Sequence, residues 1–172
     1  MMPSATLATA GPRYTPYELA ELLHLPTRPT VEQQDIIAAP VAPILVVAGA
    51  GSGKTETMAA RVVWLVANAY VRPEQILGLT FTRKASGELG SRIRQRLGQL
   101  ARRLGPTDVA AGTTAALAGG EPTVATYHSY AARIVTEHGV RAGFEPSQIR
   151  LSYHKFGLNL FATARKKGHP AG

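Results

Sequence analysis

The chain has 172 residues, enough for one domain with a core of its own, and 45% of them are hydrophobic, which supports a folded protein. Lys and Arg number 19 against 11 Asp and Glu, a net charge of +8 that points to a polyanionic partner, nucleic acid first. Cysteine is absent, which excludes disulfides and zinc–thiolate sites. The start, MMPSATLATAGP, lacks the basic-then-apolar order of a secretory signal, and no apolar run approaches the ~20 residues that span a bilayer, so a cytoplasmic protein without membrane contact is expected.

Residues 1–13 are small and polar and read as a disordered N-terminus. Tyr17 to Leu25 has helical apolar spacing at Leu19, Leu22 and Leu23, broken by Pro26 and Pro29. Thr30 can cap a second short helix over Val31 to Ala39, with Gln33 completing a capping box and Pro40 ending it. Ile44 to Val47 is a short apolar run that reads as a buried strand. It leads into a glycine-rich loop, Ala48-Gly49-Ala50-Gly51-Ser52-Gly53, and then Lys54-Thr55.

Strand, loop and Lys-Thr together make a phosphate-binding loop. Glycines let the backbone turn tightly and approach phosphate oxygens with no Cβ in the way. Successive N–H groups at a helix N-terminus form an anion nest. Lys54 reaches the β- and γ-phosphates in such a loop, and the Thr55 hydroxyl sits on Mg²⁺. Ala48 stands where the strict pattern has glycine, and its small size suits the position.

Glu56 to Ala69 is expected as a helix packed on the sheet through Met58, Val62, Leu65 and Val66. Ile76 to Phe81 reads as a buried parallel strand, which would close a βαβ unit around that helix. Thr82 to Leu104 carries an apolar helical stripe at Leu89, Ile93, Leu97, Leu100 and Leu104. Its other faces hold Arg83, Lys84, Arg92, Arg94, Arg96, Arg102 and Arg103, opposed in that stretch by Glu88 alone. That imbalance of sign favours a nucleic-acid surface over a salt-bridged, solvated face.

Residues 105–121 are rich in Ala, Gly and Thr and read as a linker or surface insertion. Thr123 to Thr126 is expected as a third strand, Tyr127 to His138 as a helix with Gly139 at its C-cap, Phe144 to Pro146 as a turn, and Gln148 to Leu151 as the start of another strand. Residues 151–172 show no clean period.

Four segments occur in this order: Thr30-Val31-Glu32-Gln33, AGAGSGKT, Leu79-Thr80-Phe81-Thr82-Arg83-Lys84-Ala85, and Thr126-Tyr127-His128-Ser129. Together they resemble the front part of superfamily 1 DNA helicases of the UvrD/Rep/PcrA type. GKTETMAARVVWL and LTFTRKA are most similar to actinobacterial UvrD-like motors, helicase–nuclease subunits among them. The resemblance covers residues 14–150, leaving 151–172 as a tail unlike the family. It implies an α/β fold, a partial RecA-like domain with a parallel sheet flanked by helices. It implies ATP and Mg²⁺ as cofactors, and as partners single-stranded DNA and a second helicase–nuclease subunit. The activity it implies is ATP hydrolysis coupled to translocation in DNA repair.

Residue by residue, the resemblance gives Gln33 the reading of adenine and gives Ala48, Gly49, Ala50, Gly51, Ser52, Gly53, Lys54 and Thr55 the triphosphate. Lys54 and Thr55 are then the catalytic residues, with Thr55 on the metal. Thr80, Phe81, Thr82, Arg83, Lys84, Tyr127 and His128 match segments that line the single-stranded DNA channel. Phe81 fits the core equally well, and Arg61, on the helix after the loop, suits a structural role. Glu56, counted with the nucleotide site, stands where many relatives place an arginine that packs on the base, which an acid cannot do.

The acids after the loop are Glu56, Glu74, Glu88, Asp108, Glu121, Glu137 and Glu145, and none follows an apolar run as an Asp-Glu pair. Phosphoryl transfer in such motors needs that pair, one carboxylate for Mg²⁺ and one for water. The expectation is therefore a truncated or frameshifted product, without the second motor domain or an arginine finger, that binds Mg-ATP weakly and does not turn over. Two other readings remain open: a small phosphotransferase with Arg92 to Arg103 as its lid, and a basic DNA-binding module without chemistry.

Overall fold

The computed structural model describes residues 11–104, 120–139, 141, 143, 149–152 and 161–164. The element order is α1 (Pro16–Leu22), α2 (Val31–Ala38), α3 (Lys54–Ala67), a 3₁₀ turn (Pro73–Gln75), β1 (Leu77–Thr80), α4 (Arg83–Arg103), β2 (Thr123–Thr126), α5 (Tyr127–His138), β3 (Ile149–Ser152) and β4 (Phe161–Ala164). The chain divides into two compact units. The first holds Met1–Leu77 with Glu88–Thr123, and the second Gly78–Gly87 with Val124–Gly172.

The first unit is a helical layer. Thr15 caps α1, its hydroxyl accepting from the Glu18 N–H while the Glu18 carboxylate accepts from the Thr15 N–H. Thr30 and Gln33 do the same for α2. Both α1 and α2 pack on α3. α3 buries Ala59, Val63, Trp64, Val66 and Ala67, while Met58 is exposed and Val62 and Leu65 are only half-buried. The expected packing face is thus turned by roughly a third of a turn. The helix chose the neighbouring helices, since α1 and α2 offer Leu19, Leu23 and Ile37 as partners. Trp64 Nε1 donates to the Tyr14 carbonyl at 2.7 Å, and Asn68 bonds the Tyr14 N–H and C=O, so the segment before α1 is tied to the end of α3.

α4 keeps the stripe predicted for it: Leu89, Ile93, Leu97, Leu100 and Leu104 are all buried. A fully buried Leu such as Leu100 contributes roughly 1.5–3 kcal/mol by leaving water. Arg96 falls on the same side of the helix and is buried with them.

Ile44 to Val47 does not form the expected buried strand. Leu45 is 90% exposed and Val47 89%, and neither described sheet includes the segment. An apolar run becomes a strand when a neighbour accepts its ladder, and β1 and β2 pair with each other instead.

In the second unit, β1 and β2 form a parallel two-stranded sheet. The parallel crossover is therefore β1–α4–β2, in place of the unit expected around α3. β1 is a strand as predicted but is not buried: Leu77 is exposed and the rest half-exposed. β2 and α5 have the bounds read from the sequence, and Gly139 caps α5 in right-handed conformation. No residue of α5 is buried. β3 and β4 form an antiparallel pair with Ile149 opposite Ala164 and Ser152 opposite Phe161, so the tail contains a strand its sequence did not signal. Most of the predicted linker and the turn at Phe144 to Pro146 lie outside the described residues.

Candidate functional site

The glycine-rich loop has the backbone its sequence demands. Gly51 (φ 77°) and Gly53 (φ 76°) are left-handed, a conformation costly to residues with a Cβ. Gly53 is the N-cap of α3 and has no side chain to accept from the first-turn N–H groups, so those donors stay available to an anion. A Cβ built on Gly49 or Gly51 would meet nothing within 4 Å, which leaves open space over the turn. One built on Gly53 would come 3.1 Å from Gln33 Nε2. A phosphate chain fits this donor set. Lys54 curls back over its own loop, its Nζ donating to the Ala48 carbonyl at 3.1 Å and to that of Gly49. Lys54 and Thr55 are exposed.

Gln33 is brought to the loop from the start of α2. Its Oε1 accepts from the Thr30 N–H at 3.1 Å and its Nε2 donates to the Ser52 carbonyl at 3.2 Å. The amide is thus anchored at both ends, to its own helix cap and to the phosphate turn. Glu56 faces α4, where Arg92 Nη1 donates to its Oε2 at 2.8 Å and Arg96 Nη2 donates to its Oε1. The acid is therefore the counter-ion of α4, and two of the seven basic residues predicted for a free face are committed to it.

Arg61 is the clearest structural residue of α3. Its Nη1 donates to the carbonyls of Ile36, Ile37 and Ala39 at 2.9, 3.0 and 2.9 Å, and Nη2 to that of Pro40 at 3.0 Å. These include orphan acceptors at the C-terminal end of α2, which a cation also suits electrostatically. Burial pulls its pKa below the ordinary arginine value.

Beside the turn lies a cavity of about 410 Å³. Leu19, Leu23, Ile37 and Val63 are among its apolar lining, and Gln33, Gly51 to Gly53, Glu56 and Arg96 give its polar side.

In the second unit, the segments after β1 and β2 converge. Phe81 and Tyr127 stack with ring centroids 5.1 Å apart and planes at 35°, although Phe81 is 66% exposed and Tyr127 47%. Phe81 is therefore no core residue. Thr82 is the cap of α4, its hydroxyl accepting from the Ala85 N–H at 3.1 Å, and the Thr80 hydroxyl donates to the Thr82 carbonyl. Arg83 and Lys84 in the first turn of α4 are exposed, and His128 is half-buried in the first turn of α5. These residues stand at the carboxyl ends of parallel strands, where open α/β sheets place their ligands.

Sequence reasoning missed the Glu56–Arg92–Arg96 cluster and the burial of Arg96. The helical period held the signal, because position 96 lies three residues after Ile93 and four before Leu100, on the buried stripe. It also missed the cap at Thr15, although Thr-Pro-Tyr-Glu is a capping-box pattern.

A left-handed glycine turn opening a helix, with Lys-Thr at its first positions, defines a phosphate-loop nucleotide-binding protein of α/β class. The model of the UvrD/REP helicase N-terminal domain matches residues 30–169, and the chain belongs to that family, whose fold is RecA-like. It is similar to the ATP-dependent DNA helicase UvrD2 of Mycobacterium tuberculosis, with 46% identity over 63 residues, 37% of this chain and 9% of the relative. DNA helicase IV of Escherichia coli is 57% identical over 54 residues, 31% of this chain and 8% of the relative. The ATP-dependent DNA helicase PcrA of Bacillus subtilis is 42% identical over 66 residues, 38% and 9% respectively. The matched segments thus span about a tenth of the length of these relatives. Among the described residues, no helix is long and apolar enough to cross a membrane.

Proposed function

We propose that this chain is the nucleotide-binding front of a UvrD-like DNA motor, taking Mg-ATP at the loop and single-stranded DNA at the strand ends. The observation that carries the reading is the loop itself: Gly51 and Gly53 left-handed, the start of α3 uncapped, and Lys54 within reach of whatever the turn holds. Gly49 to Thr55 cradle the triphosphate through backbone N–H groups, Lys54 releases its loop carbonyls to bind phosphate oxygens, and the Thr55 hydroxyl is placed for a magnesium ligand. Mg²⁺ held there by the Thr55 hydroxyl would neutralise phosphate charge. The Phe81–Tyr127 pair offers a platform for bases, and Arg83 and Lys84 supply charge for the phosphates between them. Closure against a second motor domain would convert hydrolysis into movement, and a helicase–nuclease partner subunit fits the same reading.

The chain by itself binds ATP without sustained hydrolysis, because Glu56, the acid next to the loop, is paired to Arg92 and Arg96 and the 172-residue sequence holds no adjacent Asp-Glu pair. Calorimetric titration with Mg-ATP tests the reading. Lys54→Ala removes charge-assisted bonds of ~1.5–3 kcal/mol each and lowers affinity by roughly 100-fold. Equal affinity with and without Lys54 overturns it, and brisk DNA-stimulated turnover by the intact chain overturns the inactivity.

A further inference from the structure

We propose that the outer face of α4 is a docking surface for duplex DNA, holding its phosphates through Arg94 and Arg102. This surface belongs to the first unit, whereas the strand-end residues Phe81 and Tyr127 belong to the second. Ser91, Arg94, Gln95 and Arg102 are exposed and Gly98 is half-buried. Counted from Ser91, the others follow at three, four, seven and eleven residues, which puts all five on one side of the helix. The opposite side carries the buried Leu89, Ile93, Leu97 and Leu100.

Neither Arg94 nor Arg102 has an acid partner among the described residues. The ion pairs there join Arg28 to Glu21, Arg72 to Glu74, Arg92 and Arg96 to Glu56, and Arg133 to Glu137. Glu88, the only acid on α4, lies more than a turn before Arg94. A Cβ built on Gly98 would meet Arg102 Nη1 at 3.6 Å, so the Arg102 guanidinium lies back over Gly98, a turn nearer Arg94. The two cations are thereby gathered, and the Ser91 hydroxyl and Gln95 amide add neutral donors beside them.

A face of unspent cations is complementary to phosphate, and its composition selects the kind of nucleic acid. From Glu88 to Arg103 α4 has no aromatic side chain, so the face offers nothing on which an unpaired base could stack. Single-strand sites combine charge with such stacking, as the Phe81–Tyr127 pair would. Duplex DNA keeps its bases stacked on one another and presents one charge per ~1.7 Å of axis, twice the density of a single strand. It asks for charge alone, which is what this face has.

Fluorescence anisotropy on the full 172-residue chain tests the proposal. A blunt duplex of about 20 base pairs is compared with oligo-dT of the same length, without nucleotide, across about 50–200 mM salt. Arg94→Gln with Arg102→Gln is expected to weaken duplex binding roughly tenfold per arginine near ~0.1 M salt and to flatten the log–log salt slope by about two. The dT strand should lose less than about threefold. Arg72→Gln with Arg133→Gln removes the same charge from paired positions and should cost the duplex less than about threefold. Equal loss in that control pair overturns the proposal, since the duplex would then answer to net charge. Equal loss for dT, or unchanged duplex affinity, overturns it as well. Both arginines are exposed, so the melting temperature should not move, and Arg94→Gln alone should take about half the slope change even where the double variant fails to fold. The nucleotide reading stands or falls on ATP affinity in Lys54→Ala, a separate readout.

Discussion

α4 and the segment Ile44 to Val47 are both apolar, and the chain treats them in opposite ways. The stripe of α4 is buried from Leu89 to Leu104, whereas Leu45 and Val47 stand almost fully in solvent. A helix satisfies its own backbone and needs only an apolar partner for one face, and the stripe of α4 is buried. A strand has nothing until another strand accepts its ladder. Amphipathic helices are thus settled by local sequence plus any apolar neighbour, while strands are hostage to particular neighbours. The same contrast runs through α3, whose Ala59–Val63–Trp64 side is packed while Met58 on the other side is bare.

The contrast can be broken most forcefully at Leu100. Leu100→Ala is expected to destabilise the first unit by ~2–5 kcal/mol in urea denaturation, whereas Leu45→Ser changes stability by less than about 0.5 kcal/mol. A large loss at Leu45 would mean that the exposed run is packed in solution. Arg61→Ala comes next, at about 2 kcal/mol, because it strips the carbonyls of Ile36, Ile37, Ala39 and Pro40 of their shared donor. Loss of helicity confined to α2, read by amide exchange, distinguishes that from general unfolding. Phe81→Ala in the second unit is expected to weaken single-stranded DNA binding about tenfold by fluorescence anisotropy, with almost no change in melting temperature, as suits a side chain that stacks without being buried. A drop in stability with unchanged DNA affinity would return Phe81 to the core.

The smallest effect belongs to the cap of α1. Hydrogen bonds from the Thr15 backbone and hydroxyl hold the Glu18 carboxyl below its ordinary value of 4.5. A carboxyl whose pKa falls on folding stabilises fully above the unfolded value and loses that contribution as pH drops through the folded one. Melting temperature should therefore decline slightly below pH 4.5, and Glu18→Gln should remove that part of the decline. An identical acid profile in the variant would show the cap to be idle.

Much of this was legible in the chain itself. The α4 stripe, the Thr30–Gln33 cap, the bounds of β2 and α5, and the glycine turn before Lys54 all rest on patterns confined to a few neighbouring residues. What was not legible depends on distant partners. Nothing near Glu56 says that it meets Arg92 and Arg96, which lie 36 and 40 residues away. Nothing near Arg61 names the four carbonyls it collects from α2. The face α3 buries was misjudged for the same reason: two apolar sides were on offer, and the position of α1 and α2 decided between them. Phe81 and Tyr127 were matched to one role by resemblance, but their stacking needed the strand pairing to be seen.

The bonds of α2 have a mechanical meaning. At one end Gln33 holds the Ser52 carbonyl, and at the other Arg61 gathers the last carbonyls of the helix. α2 is thus bolted at both ends to the turn-and-helix element that carries Lys54, like a strut in a truss. Any rearrangement of the turn must either drag the strut along or break one of the bolts, which makes α2 the member through which strain in this half of the molecule would be transmitted.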